Sequence, residues 1–307
     1  MAFVTRFAPS PTGPLHLGHA YSALLAYDMA VAVGGKFLLR IEDIDPSRSK
    51  PEWERQIYDD LQWLGIWWDE VPQRQSDRLL DYSKALDGLW LRGLIYPCRC
   101  RRRDIEIALC APQEGAEVPV GPDGIIYPGT CRSEMSYERS FPEANPRPND
   151  ANLRLDLGHI AHSLVFKHRI DSANGGWQWY TSYCETGIGP NGQSGLIEFS
   201  PEDMQTDVGD FVIARRDMGT SYHLSVVLDD AAQGVTDVVR GADLSEATRI
   251  HVFLQRLLGL PSPIYHHHRL IRDDQGKRLA KRDDARALSK YRAEGATPAD
   301  IRRMVGL

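Results

Sequence analysis

The sequence has no long uninterrupted apolar run, few cysteines and no excess of positive charge, and each shortage closes off a class of function. Its longest apolar stretches are broken by charge, so no membrane span is expected. Met-Ala-Phe-Val-Thr-Arg leads straight into a strand-like stretch without a signal-peptide pattern, and a cytoplasmic location is the default expectation. Five cysteines in 307 residues, an odd number, argue against a disulfide scaffold. A formal net charge of −6 speaks mildly against a nonspecific nucleic-acid binder, although local patches weigh more than the total. Arg99, Arg101, Arg102 and Arg103 form one cationic patch, and His266, His267, His268, Arg269 and Arg272 a second. No G-x-x-x-x-G-K-[ST] occurs, which removes the P-loop. No G-x-G-x-x-G is read as following a strand, Gly189-Pro-Asn-Gly192 being read as a turn. Internal repeats and low-complexity tracts are missing too.

What is present concentrates near the amino end. Arg6-Phe-Ala-Pro-Ser-Pro-Thr-Gly-Pro-Leu-His16-Leu-Gly18-His19 makes a turn and then sets two histidines around a glycine, before the amphipathic run Ala20 to Val33. A helix start offers free backbone N–H groups and the positive end of a dipole, which suits a phosphate. Gly18 lets a flat ring or a phosphate lie against the backbone. The bland alternative is a core helix with incidental histidines.

Downstream, Thr5 to Ala8 reads as the end of a first strand and Lys36 to Glu42 as a buried second one. Pro51 opens a helix with Glu52 and Glu54 in its first turn, and Asp77 to Arg92 reads as a third helix stopped by Gly93. This alternation implies an α/β fold with a parallel sheet, whose ligands bind beyond the carboxyl ends of the strands. Arg6 to Ser10 and Glu42 fall there. Residues 132 to 205 are poorly periodic. Leu153, Leu155 and Leu157 alternate as in a strand, and Trp177, Trp179, Tyr180 and Tyr183 are expected to pack in strands rather than stack on bases. Asp210–Arg216 and Val235–Arg240 read as strands, Ser221–Asp230 as a return to the sheet, and a helix follows from Ser245. His266 to Ile271 reads as a last strand before two short helices.

From Pro97 the composition changes. Cys98-Arg-Cys100, Cys110 and Tyr127-Pro-Gly-Thr-Cys131 lie in a Pro- and Gly-rich insertion expected to have little core of its own. Such units often need a metal staple. Thiolates suit zinc, and a closed structural site takes four ligands. Cys98, Cys100 and Cys131 give three, leaving Cys110 or a deprotonated Tyr127 for the fourth; unligated thiols are the alternative.

Five motifs occur in one order. They are the opening stretch, Arg-Ile-Glu-Asp-Ile-Asp at 40–45, Val-Val-Leu-Asp-Asp at 226–230, Val-Val-Arg-Gly-Ala-Asp at 238–243, and the cationic Gly276-Lys277-Arg278-Leu-Ala-Lys281-Arg282. That order resembles the catalytic half of class I glutamyl-tRNA synthetases. His16-Leu-Gly-His19 is similar to the family's His-Ile-Gly-His signature. Arg278-Leu-Ala-Lys281-Arg282 is similar to its Lys-Met-Ser-Lys-Ser loop, with Arg for the first Lys and Ala for the Ser, while the second lysine, Lys281, is kept. Only about two helices follow, too few for the anticodon-binding domain of the full family. With the C-x-C…Tyr-x-x-x-Cys insertion, the chain resembles the truncated glutamyl-queuosine tRNA(Asp) synthetase branch.

The resemblance implies a Rossmann-type catalytic domain of the class I kind. Residues 1–96 would form its first half, 97–205 an inserted zinc-containing acceptor-type subdomain, 206–260 the second half, and 261–307 the cationic ATP loop and short carboxyl-terminal helices. It implies activation of L-glutamate with ATP, accompanied by Mg²⁺, and transfer of the glutamate to queuosine in tRNA(Asp), by a protein expected to be monomeric. Cys98, Cys100, Tyr127 and Cys131 would hold one structural Zn²⁺. Arg6, Phe7, Ala8, Pro9, Ser10, Glu42, Tyr222 and Arg240 would bind glutamate, and His16, Gly18, His19 and Lys281 ATP, with His16, His19 and Lys281 catalytic.

The chemistry suits these residues. Attack of the glutamate carboxylate on the α-phosphorus builds charge on phosphate oxygens, which fixed donors offset. Arg6 and Arg240 can each make bidentate bonds to a carboxylate, Glu42 can receive the ammonium, and Tyr222 can supply a phenolic hydrogen bond. Alternatives are a discriminating glutamyl-tRNA synthetase without its tail, an RNA-independent ligase that forms acyl adenylates, and a noncatalytic tRNA-binding paralogue. For Glu42 the bland reading is an ion pair with Arg40 or Arg48 on a surface.

Overall fold

A computed structural model describes residues 2–110, 118–132, 145–161, 170–171, 177–178, 180–272 and 286–307. From the amino end, β1 (Val4–Phe7), α1 (Leu17–Ala32) and β2 (Lys36–Ile41) form a βαβ unit, with Val4 beside Lys36 and Phe7 beside Leu39 in parallel register. Helix α2 (Pro51–Trp63), with its acids in the first turn, leads to β3 (Gln73–Arg74), parallel to β2. A 3₁₀ turn at Gln75–Arg78 precedes α3 (Leu79–Leu91), so the third helix is in two pieces. The stretch read as an insertion begins with β4 (Ile95–Cys98) and α4 (Arg102–Cys110), then the hairpin β5 (Val120–Gly121) and β6 (Gly124–Ile125). It continues through β7 (Asn152–Leu155), α5 (Leu157–Ala161) and the pair β8 (Ile170–Asp171) and β9 (Trp177–Gln178).

Next come β10 (Thr181–Glu185), β11 (Gly195–Phe199), α6 (Pro201–Asp207) and β12 (Val212–Ala214). The chain then forms α7 (Tyr222–Ala232), β13 (Asp237–Gly241), α8 (Thr248–Leu258) and β14 (Ile264–His268), and closes with α9 (Leu288–Ala293) and α10 (Pro298–Val305). Strand β14 pairs in parallel with both β13 and β10, and β11 joins β10 antiparallel. β1 abuts the start of β13. There the Thr236 N–H donates to the Val4 carbonyl (2.9 Å) and the Val4 N–H to Thr236 Oγ1 (2.8 Å). Strand order therefore runs outward in both directions from the β1/β13 seam, and a parallel sheet opens its ligand crevice beyond such a seam.

Two cores flank it. Leu24, Phe37, Leu39, Ile41, Ile57 and Leu61 pack with Ile301 and Val305, so α10 closes the first βαβ unit. Tyr96, Leu153, Leu155 and Phe211 pack with Leu224, Ile250 and Phe253. The antiparallel sheet of β4, β7 and β12 thus shares the core of α7 and α8, where a loop-rich insertion with little core was expected.

Several local expectations are corrected. Ser221–Asp230 is a helix, not sheet: the Ser221 hydroxyl accepts the Leu224 N–H, and the β-branched pair Val226-Val227 is buried on the helix. Leu157 opens a helix instead of extending a strand, because the Asp156 carboxylate accepts the His159 N–H (2.9 Å). A G-x-G-x-x-G run, Gly187 to Gly192, does follow a strand, β10. It leads into the turn before β11 and not into a helix, so it is no dinucleotide fingerprint. The second cationic patch is a surface only in part: Arg269 and Arg272 are exposed, while His267 and His268 are buried. Tyr183 packs edge-on against Tyr265 with ring centroids 5.4 Å apart, as strand packing requires; Trp179 and the side chain of Trp177 lie outside the described residues.

Candidate active site

The histidine turn is built by its own side chains. His16 is the N-cap of α1, with extended backbone, and its Nδ1 accepts the Gly18 N–H (3.1 Å). His19, three positions on, accepts the His16 N–H through its own Nδ1 (3.2 Å), so the two rings form a capping box. They lie 3.8 Å apart between centroids. With both Nδ1 atoms accepting, each neutral ring carries its proton on Nε2. Gly18 also leaves room for the cap itself: a Cβ would sit 3.0 Å from the His16 ring, which would have to shift. The flat ring against the backbone is the protein's own imidazole.

Beyond the seam lies a cleft of about 390 Å³, and every described residue expected to bind glutamate or ATP lines it. Arg6, Phe7, Ala8, Pro9 and Ser10 come from the end of β1 and the turn after it. His16, Gly18 and His19 come from the start of α1, Glu42 from the end of β2, Tyr222 from α7 and Arg240 from β13. A second cavity, of about 480 Å³, shares Ser10, Thr12, Glu42, Tyr222 and Leu244 and adds Asp45, Arg48, Asp123 and Arg215. Lys281 and the rest of the cationic loop fall outside the described residues. The segments on either side of that span are at the cleft: Leu270 and Ile271 line it, and Ala287 bridges antiparallel to His16.

Beneath the cleft is a buried ionic cluster. Asp230 accepts Arg6 Nε (2.9 Å) and Nη2 (3.4 Å) and Arg40 Nη1 (2.6 Å). Although burial alone would raise it, the Arg6 and Arg40 guanidinium groups hold the Asp230 carboxyl down at about 2. Arg40, fully buried, also donates to Glu42 Oε1 (3.3 Å) and to Gln233 (3.0 Å). Burial pushes Glu42 above the ordinary carboxylate range, against the pull of Arg40 and Arg6. Its bland alternative, an ion pair with Arg40 on a surface, is corrected in part: the pair exists, but inside the cleft. Asp229 is held by the Tyr82 hydroxyl and the Gln75 amide, each at 2.9 Å. Burial also raises Tyr222, whose phenol therefore stays a donor.

The two arginines differ in what they can offer. Arg6 spends Nε and Nη2 on Asp230, and its Nη1 makes no hydrogen bond among the described residues. Arg240 donates from Nε to His267 (3.0 Å), from Nη1 to His251 (3.0 Å), and from Nη2 to Thr248 Oγ1 (2.8 Å) and the Leu244 carbonyl (3.4 Å). A guanidinium has about five N–H donors, so Arg240 keeps one. The bidentate grip expected of Arg240 is therefore open to Arg6 only. Arg40, Asp230, His251 and His267 were missed in the sequence. Arg40 and Asp230 lay inside recognised motifs, but no spacing shows that they meet.

The cysteines converge on the insertion side. The Sγ atoms of Cys98, Cys100 and Cys131 lie within 4.8 Å of one another and could hold a metal ion. The buried Tyr127 hydroxyl is 3.4 Å from Cys100 Sγ and accepts the Cys131 N–H (2.8 Å). Three thiols and a phenol at one point are a donor set that fits a four-ligand structural zinc site. Cys110 ends α4, and its side chain lies outside the described residues.

The class I tRNA synthetase (E and Q) catalytic-domain family matches residues 2–112 and 193–307. A glutamyl-Q tRNA(Asp) synthetase from Rhodobacter capsulatus is 61% identical over 306 residues, covering 99% of this chain and 100% of the relative. The chain belongs to the glutamyl-Q tRNA(Asp) synthetase family. A second glutamyl-Q tRNA(Asp) synthetase, from Nitratidesulfovibrio vulgaris, is 38% identical over 96% of this chain and 83% of its own length. Among solved structures, a glutamate tRNA ligase from Elizabethkingia meningosepticum in complex with its amino acid superposes with a TM-score of 0.70 at 25% identity. A glutamate-tRNA synthetase from Elizabethkingia anophelis gives 0.72 at 23% identity, which shows the fold alone. This glutamyl-Q tRNA(Asp) synthetase family member spans 61% of the length of each of those two chains. Among the described residues, no helix is long and apolar enough to cross a membrane.

Proposed function

We propose that this chain activates L-glutamate with ATP and transfers it to queuosine in the anticodon loop of tRNA(Asp), in the cytoplasm. What carries the reading is one cleft at the sheet seam that joins a histidine turn, a buried carboxylate and an arginine with donors to spare, in a chain 61% identical to a glutamyl-Q tRNA(Asp) synthetase. Arg6 supplies the fork for a glutamate carboxylate, Arg240 a single N–H and its charge, and Tyr222 a hydroxyl. Glu42, raised by burial, receives the ammonium. His16 and His19 donate from Nε2 to phosphate oxygens as charge develops on them. Mg²⁺, bound with ATP, would neutralise the pyrophosphate that leaves. Lys281, outside the described residues, is assigned to the leaving phosphates on the resemblance of its motif alone; Ala287, near the described end of that span, bridges antiparallel to His16. We assign the acceptor nucleoside to the second cavity, which shares Glu42 and Tyr222 with the first.

The deciding experiment supplies labelled glutamate and ATP with tRNA that contains or lacks queuosine, with and without enzymatic removal of the 3′-terminal adenosine. Queuosine-dependent labelling that survives that removal is the expected result. Labelling of tRNA(Glu) that is lost with the 3′ adenosine would make the protein a 3′-end synthetase, and activation indifferent to RNA would make it a small-molecule ligase. His19→Ala and Lys281→Ala should each lower glutamate-dependent ATP–pyrophosphate exchange by about 10²-fold or more. Wild-type exchange in either variant refutes the assignment of that residue.

Zinc held by Cys98, Cys100, Cys131 and Tyr127 would pin the β4 end to the loop before residue 132. Metal analysis of purified protein should find about one equivalent, as a closed four-ligand site requires. Less than about half an equivalent would reduce the cluster to free thiols.

A further inference from the structure

Arg240 is a nearly buried cation with no carboxylate within ion-pair distance among the described residues. Its partners are two neutral rings, a hydroxyl and a carbonyl. Guanidinium nitrogens only donate, so His267 Nε2 and His251 Nδ1 must each turn a lone pair toward it. The remaining ring protons are then fixed. His267 Nδ1–H donates to Glu185 Oε2 (2.5 Å), while Glu185 Oε1 accepts the His267 N–H (3.0 Å) and the Gly187 N–H (2.7 Å). On the other side His251 Nε2–H donates to His223 Nδ1 (3.1 Å), and His223 Nε2–H to Asp123 Oδ1 (3.1 Å). His251, His267 and Glu185 are buried. Gly187 fixes the approach of the two chains, since a Cβ there would lie 2.2 Å from the His267 carbonyl.

We propose that His251 and His267 are positioning residues for the amino-acid substrate, holding Arg240 from behind while keeping its charge for the substrate carboxylate. This rests on reading Arg240 as a contact to glutamate. An arginine whose purpose was the fold would face its counter-ion directly, as the fully buried Arg40 faces Asp230. Here the carboxylates stand back, Glu185 one imidazole away and Asp123 two. They orient the rings without neutralising the guanidinium, and its last N–H is left for the cleft. Burial holds both rings below the ordinary histidine range, which preserves the lone pairs Arg240 needs.

The test compares His251→Leu, His251→Gln, Glu185→Gln and Arg240→Gln by ATP–pyrophosphate exchange in the presence of queuosine-containing tRNA(Asp), with KM measured separately for glutamate and ATP. His251→Leu should raise the glutamate KM about tenfold or more, the range for a lost charged hydrogen bond, and leave the ATP KM within about twofold. His251→Gln should recover most of the loss, because its amide oxygen faces Arg240 and its NH₂ faces His223. Glu185→Gln is nearly isosteric but must set an NH₂ against a donor, so it forces the wrong His267 tautomer and should also raise the glutamate KM. A purely packing role predicts lost active protein at unchanged KM. A folded His251→Leu protein with glutamate KM within about twofold of wild type overturns the proposal; if that variant does not fold, the same result for Glu185→Gln does so. Unchanged KM in Arg240→Gln would instead refute Arg240 as the contact, and absence of glutamate-dependent exchange in the wild type would refute the activity itself.

Discussion

Asp230→Asn should be the most destabilising single substitution in the cleft, lowering unfolding free energy by about 3–5 kcal/mol in urea, the cost of breaking a buried ion pair by removing one partner. The reason is geometric. One carboxylate serves Arg6 at 2.9 Å and Arg40 at 2.6 Å, and both guanidinium groups are buried. Asparagine removes the charge and sets an NH₂ against donors, leaving two cations facing each other. The pH dependence follows with a definite sign. Asp230 is held at about 2 in the folded protein, below its ordinary value of 3.8. Between those values the unfolded chain binds more protons, so the contribution is fully present above the ordinary carboxylate pKa and is lost as pH falls through the folded one. The acid limb of the wild-type stability curve below about pH 4 should therefore flatten in the variant. A loss under about 1 kcal/mol would mean that the other carboxylates beside Arg40, Glu42 at 3.3 Å and Asp229 at 3.9 Å, suffice as counter-ions for the pair.

How far the sequence showed this cluster depends on the range of each contact. The βαβ unit is local: Lys36 to Ile41 is continuously apolar apart from Arg40, and Pro51 with Glu52 and Glu54 marks the next helix start. Periodicity reads such elements directly. The cleft residues were legible because the motifs lie at strand ends and helix starts, where a parallel sheet gathers its ligands. What periodicity cannot show is which buried charge answers which. Arg40 sits in the middle of an apolar strand, and near it in sequence only Glu42 answers its charge, at 3.3 Å. Its partner, Asp230, is 190 positions away on a helix whose Val226-Val227 pair reads as strand. The same limit hid the histidines. His266-His267-His268 looks like a cationic surface until β14 is seen between β13 and β10, where His267 turns inward to Glu185. The cysteine cluster and its two candidate fourth donors, Cys110 and Tyr127, were legible in the sequence; the distance of 3.4 Å from the Tyr127 hydroxyl to Cys100 was not.

Glu42→Gln separates function from stability in the same cluster. Glu42, its side chain 10% exposed, lies beside Arg40 at 3.3 Å, yet desolvation outweighs that attraction and its carboxyl stands above the ordinary range. A raised carboxyl pKa means that the folded state binds a proton more readily than the unfolded one. Its contribution is favourable at low pH and is lost as pH rises through the folded value, so at neutral pH the ionised group costs stability. Glutamine removes that cost while keeping an acceptor for Arg40, which retains Asp230 as counter-ion. The variant should unfold at the same urea concentration as wild type or slightly higher. On the proposal that Glu42 receives the glutamate ammonium, that charge offsets the cost in the wild type, and the glutamate KM should rise about 100-fold, within the 2–5 kcal/mol of a buried charge pair. Saturating glutamate should then raise the melting temperature of the wild type and leave that of the variant almost unchanged, since a ligand stabilises only the state it binds. The opposite pattern, a variant that loses more than about 2 kcal/mol yet keeps its glutamate KM within threefold, would make Glu42 a structural counter-ion for Arg40 and move the ammonium elsewhere in the cleft.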